Sequence, residues 1–152
     1  AVATEVARLR PVIPVFAVEP LADTDLGGVR VPAGTAVFFV LRPDMLDAAR
    51  FGEPERFDPG RWERESARAA AAGCPHAAQA ARTHDAHAWV QFGAGPRVCP
   101  GRHLAAQEIR LVLAMLTRHF RLQLACEPDA IEEVMDFTMH PARMPVRLAL
   151  RA

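Results

Sequence analysis

Apolar residues along this chain fall in blocks that change period, and each change marks an element boundary. After Gly101, Leu104, Leu111, Val112, Met115 and Leu116 recur at helical spacing, which predicts a long amphipathic helix. Near the start, Glu5 and Arg8 stand three apart and therefore on one helical face. Arg10-Pro11 ends that first helix, because proline lacks the N–H and disfavours helical backbone at the residue before it. Val12 to Phe16 follows as an apolar extended run that reads as a buried strand. Leu26 to Thr35, with glycines at the turns and valines between, predicts a hairpin, and Ala36–Leu41 another apolar strand. Val146–Leu150 predicts a last strand. Between Glu63 and Ala88 the pattern lapses into alanine and arginine, as expected of an insertion or a solvated, partly helical linker.

Composition narrows the class. The 152 residues, 51% hydrophobic and 24% charged, are enough for one ordinary globular domain. A formal net charge of zero gives no reason to expect nucleic acid as a partner. No apolar run reaches the length of a membrane span and no signal peptide is visible, which points to a cytoplasmic location. The three cysteines, Cys74, Cys99 and Cys126, are an odd number and give no disulfide framework. Cys126 reads as structural. Cys74 with His76, His84 and His87 matches no standard zinc spacing, so a metal role there is disfavoured.

Cys99 differs in its setting. The ten residues Phe92 to Gly101 read FGAGPRVCPG. Gly93, Gly95 and Pro96 suit a tight turn, and the cysteine stands just ahead of a helix N-terminus, where free N–H groups and the dipole favour an anionic sulfur. At these residues the chain resembles the cytochrome P450 family, whose pattern Phe-Gly-x-Gly-x-Arg-x-Cys-x-Gly is met at every fixed position. Two other segments extend the resemblance: Glu5-Val6-Ala7-Arg8 and Phe51–Trp62, FGEPERFDPGRW, which is similar to the family's PERF region.

The resemblance implies a mainly α fold with small β-sheets and covers residues 1–152 as the C-terminal, haem-proximal part of one domain, with 63–88 an insertion within it. The upstream helices, including the distal acid–alcohol pair, are expected to be missing, so the chain alone is expected not to be active. Haem b is the implied cofactor. Cys99 would be the axial iron ligand and the catalytic residue, its thiolate aiding O–O cleavage. Phe92, Gly93 and Gly101 would form the surrounding cradle, although Phe92 is also compatible with an ordinary core aromatic. Arg97 would pair with a haem propionate, a match of planar fork to carboxylate. His103 and His119 are the rival iron ligands. Glu5, Arg8 and Arg56 would form a buried charge network that fixes the haem-binding core. Ile13, Val15, Phe137 and Thr138 would line the substrate pocket.

The implied activity is a monooxygenase reaction that inserts one oxygen atom into a small apolar substrate, with electrons from an NAD(P)H-dependent reductase or a ferredoxin. A peroxide-using or hydroperoxide-rearranging enzyme and a non-catalytic haem-binding module are the alternatives. Three departures from the family pattern stand out. Val18, Glu19 and Pro20 occupy a place where a basic propionate partner is common, Gln91 stands where a proline commonly precedes Phe-Gly, and Pro100 removes one N–H that could bond the sulfur.

Overall fold

A computed structural model describes residues 1–71 and 89–151. The first helix, α1 (Val2–Leu9), stops where the sequence requires: the Arg10 N–H closes onto the Val6 carbonyl at 2.7 Å and Pro11 follows, buried. The apolar run then becomes β1 (Val15–Val18), which pairs antiparallel with β4 (Val37–Val40) in the register Val15↔Val40 to Val18↔Val37. Phe16 and Phe39 stack across this pair at 5.2 Å, a cross-strand aromatic contact that helps hold the register.

Between them lies the hairpin β2 (Thr24–Leu26) and β3 (Val29–Val31). Gly27 and Gly28 have φ of 59° and 88°, the left-handed pair that a two-residue hairpin turn requires and that side chains resist. A short helix that periodicity did not reveal, α2 (Leu41–Met45), turns the chain back against α1. Five residues are too few to show a helical stripe, but Leu41 and Met45, one turn apart, are both buried.

Helix α3 (Gly60–Ala71) runs into the stretch expected to be a linker, so Glu63 to Ala71 is continuous helix. The rest of that stretch, with Cys74, His76, His84 and His87, lies outside the described residues. The periodic segment after Gly101 forms α4 (Arg102–His119), which leads directly into β5 (Phe120–Leu124). Strand β5 pairs antiparallel with the last strand, β8 (Val146–Leu150), and a small hairpin of β6 (Glu133–Met135) and β7 (Met139–Pro141) stands between them in sequence. The sheets among the described residues are thus four two-stranded antiparallel pairs.

The core is small and polar at its centre. Among the described residues the buried apolar side chains are Val31, Leu41, Met45 and Phe51, with Pro11 and Pro14, and Glu5 and Arg8 are fully buried as well. Arg8 meets Glu5 through two hydrogen bonds, Nε to Oε2 at 3.1 Å and Nη2 to Oε1 at 2.9 Å. It also donates to the carbonyls of Met45, at 2.7 Å, and Arg56, at 3.3 Å, and lies over the Phe51 ring. The second Glu5 partner is not the expected one. Arg56 turns its carbonyl inward to Arg8 and so sends its side chain outward, where it pairs with Glu53 at 2.8 Å with both groups mostly exposed. The network is completed instead by Arg61, only 7% exposed, which donates to Glu5 Oε1 at 3.2 Å and to the carbonyls of Gly52 and Glu53. Trp62 adds its indole N–H to Glu5 Oε2 at 2.9 Å, and the Asp58 amide donates to Oε1 at 3.1 Å.

Burial alone pushes the Glu5 carboxyl pKa up, but the Arg8 hydrogen bonds, the Asp58 amide, the Arg8 charge and the Trp62 indole outweigh it and hold the pKa below its usual value. A lowered folded-state pKa adds stability that is fully present above the ordinary value of 4.5 and is lost as the pH falls through the lowered one. Urea midpoints should therefore fall as the pH is taken below that ordinary value. A flat profile there would show that Glu5 is not ionised in the native protein.

The exchange of roles between the two arginines gives a second expectation. Arg61→Ala removes a charge-assisted bond to a buried carboxylate and takes the side-chain donor from the Gly52 carbonyl, while the Glu53 carbonyl keeps the Arg56 N–H, a loss of about 3 kcal/mol. Arg56→Ala keeps its inward carbonyl and loses only an exposed ion pair, a change within about 1 kcal/mol. Denaturant midpoints of the two variants check the assignment, and equal losses would return Arg56 to the network.

Candidate functional site

The loop from Trp89 to Gly101 is built on that charge network. Trp62, bonded to Glu5, meets Trp89 edge-on at 6.1 Å, and Trp89 meets Phe92 edge-on at 6.1 Å. Phe92, half-buried, thereby fixes the entrance to the loop. The loop closes on itself through the Cys99 N–H, which donates to the Phe92 carbonyl at 2.7 Å. Gly93 and Gly95, at φ of 72° and 62°, make the reversals that allow this closure, and a single 3-10 turn, Gly95–Arg97, lies between. The Arg102 N–H then returns to the Cys99 carbonyl at 3.3 Å and α4 begins.

Cys99 is a free, exposed cysteine. A Cβ built on Gly101 would stand 3.8 Å from its Sγ, an ordinary contact, so the flank of the sulfur is open without being crowded. Arg97 is exposed and makes no hydrogen bond or ion pair with any described residue. A thiol and a guanidinium with no described partner on one short loop have chemistry suited to haem: a soft donor for iron and a planar fork for a carboxylate. The residues present fit the group. Among the described residues no three His, Cys, Asp or Glu side chains converge as a metal site of another kind.

The remaining expected residues occupy three places. His103 receives the Arg102 Nε at 3.1 Å, and His119 ends α4, eighteen residues long, away from the loop. Ile13, two residues before β1, and Val15, its first residue, are half-buried, whereas Phe137, 91% exposed, and Thr138 form the tip of the β6–β7 hairpin. These two segments are joined by one bond, from the Met139 N–H to the Val12 carbonyl at 2.7 Å. Trp89 and Arg61 were the residues that sequence reasoning passed over. A signal for Arg61 was present: Pro-x-Arg-aromatic occurs twice in succession, as Pro54-Glu55-Arg56-Phe57 and Pro59-Gly60-Arg61-Trp62, and only the second places an indole N–H beside its arginine.

This fold and this loop define a haem-thiolate type of protein, helical with small sheets and a single cysteine presented at a helix start. A family model described as Cytochrome P450 matches residues 1–147, and the chain belongs to that family. It is 29% identical over 148 residues to pentalenene oxygenase of Streptomyces avermitilis, covering 97% of this chain and 30% of that protein. It is 32% identical over 142 residues to the mitochondrial sterol 26-hydroxylase of Oryctolagus cuniculus, covering 93% of this chain and 25% of that protein. Among solved structures, the haem domain of cytochrome P450DA superposes with a TM-score of 0.78 at 26% identity, over 98% of this chain and 30% of that one. The chain spans about a fifth to a third of the length of the relatives it matches. Haem and iron binding are characteristic of the family.

The glycines of the loop separate backbone need from space. Gly95→Ala meets no atom within 4 Å but must hold a left-handed φ, which costs about 1–2 kcal/mol. Gly101→Ala has an ordinary right-handed backbone at φ −79° and should cost less than about 1 kcal/mol. Urea denaturation of the two variants should rank them in that order.

Proposed function

We propose that this chain carries the thiolate-bearing part of a haem-dependent monooxygenase that inserts one oxygen atom into a small apolar molecule. Its cofactor is haem b, and its electrons come from an NAD(P)H-dependent reductase or a ferredoxin. The observation that carries the reading is the presence, on one glycine-shaped loop, of an exposed cysteine and an exposed arginine that has no partner among the described residues. The reaction class is supported by the relatives, whose names are those of an oxygenase and a hydroxylase.

Bound haem would supply the activation of oxygen. The chain's own part is to hold and orient it. Cys99 would ligate the iron, Arg97 would hold a propionate, and Phe92 would pack beside the sulfur, its ring fixed by Trp89. Gly93 and Gly101 would leave the backbone free of side chains toward the cofactor. Ile13 and Val15, with Phe137 and Thr138, would form apolar wall on two segments that share the Met139–Val12 bond. No helix among the described residues is long and apolar enough to cross a membrane, and a cytoplasmic location belongs to the same proposal. Taken alone the chain contains nothing corresponding to a distal acid–alcohol pair, so coupled turnover is assigned to the intact enzyme.

The test is spectroscopic. The reduced carbon-monoxide adduct of the haem-loaded protein should show the red-shifted Soret band of thiolate ligation. Cys99→Ala should abolish that band and Cys126→Ala should leave it unchanged. Persistence of the band in Cys99→Ala, or a globin-like adduct in the unsubstituted protein, would overturn the ligand assignment and favour a histidine.

A further inference from the structure

Ala7 lies in the last turn of α1, four residues before Pro11. In a continuing helix its carbonyl would accept the N–H of residue 11, but proline has none to give. The neighbouring Val6 carbonyl is satisfied by Arg10. The Ala7 carbonyl is met by the side-chain amide of Gln91, which donates to it from 84 residues further along the chain. Gln91 is half-buried and immediately precedes Phe92, whose carbonyl accepts the Cys99 N–H. One side chain thus joins the helix that carries Glu5 and Arg8 to the loop that carries the cysteine.

We propose that Gln91 is a positioning residue for Cys99: it supplies the donor that Pro11 lacks and so fixes the cysteine loop against α1. The bond is selective in its chemistry. Only a donor of sufficient reach can meet the Ala7 carbonyl, which lies at the negative end of the helix dipole. Methionine has the length but no N–H, glutamate would present an acceptor to an acceptor, and asparagine is one methylene too short. Lysine can reach and carries a charge suited to a helix C-terminus. Among the described residues the loop's other side-chain tie to the rest of the chain is the ring contact of Trp89 with Trp62, and a ring contact restrains translation less sharply than a directed hydrogen bond.

The proposal deepens the haem-thiolate reading, but its test needs no iron. Hydrogen exchange of the Cys99 amide, measured on the protein as purified, reports how often the loop leaves its closed position. Gln91→Met and Gln91→Asn should each speed that exchange about fivefold, the factor expected for loss of one hydrogen bond of about 1 kcal/mol. Amides of the β1–β4 pair should be unchanged, and Gln91→Lys should restore slow exchange at Cys99. Unchanged exchange at Cys99 in both variants would overturn the proposal. So would a rise shared by the β1–β4 amides, which would mark general destabilisation, or failure of the lysine variant to restore protection. If the Cys99→Ala spectral test fails while these exchange differences appear, the ligand reading falls and the positioning role stands. The converse pattern separates them the other way.

Discussion

Glu5 is a carboxylate with no exposed surface, and it accepts hydrogen bonds from four parts of the chain. A charge so placed is costly unless its oxygens are filled, and here the two are filled by two guanidinium groups, an indole and a backbone amide. Three of those donors lie more than fifty residues away, at Asp58, Arg61 and Trp62. Because the carboxylate is tolerable only when they arrive together, the interaction acts as a lock between α1 and the start of α3. Apolar packing alone is less exacting, since Leu41, Met45 and Phe51 would remain buried under small shifts of either helix.

The cysteine loop inherits its position from this lock. Two lines lead outward from Glu5: one through Trp62 and Trp89 to Phe92, the other through the backbone of α1 to Ala7 and Gln91. They converge on adjacent residues, Gln91 and Phe92, at the point where the Phe92 carbonyl receives the Cys99 amide. The local sequence then needs only to make the loop tight, which Gly93 and Gly95 do through their left-handed backbone. Placement and shape therefore have separate causes, one long-range and polar, the other local and conformational.

That separation explains what could be read from the residues. Features with local causes were legible: the end of α1 at Pro11, the Gly27-Gly28 hairpin, the β5–β8 edge at Val146–Leu150 and the long helix after Gly101. The cysteine loop was legible because its chemistry is written in consecutive residues. The identity of the second network arginine was not. Arg56 and Arg61 sit in nearly equivalent local patterns, and what distinguishes them is which way a turn faces once Glu53 adopts φ 47°. Helix α2 and the β6–β7 hairpin were missed for a related reason, being too short to show a period and dependent on contacts with α1 and Val12.

The same structure handles charge in two opposite ways, and the contrast bears on function. Around Glu5 every buried charge is matched within the chain, as a permanent structural element must be. Around Cys99, among the described residues, the matching is left open: Arg97 meets no carboxylate, the thiol is exposed, and the indole N–H of Trp89 is buried without a partner. Glu133, by comparison, meets both Arg10 and Arg42, so this chain does pair arginines where they serve the fold. A guanidinium with no partner among the described residues, two positions from a free thiol on a loop held by a fully paired network, is the local arrangement on which the haem proposal rests.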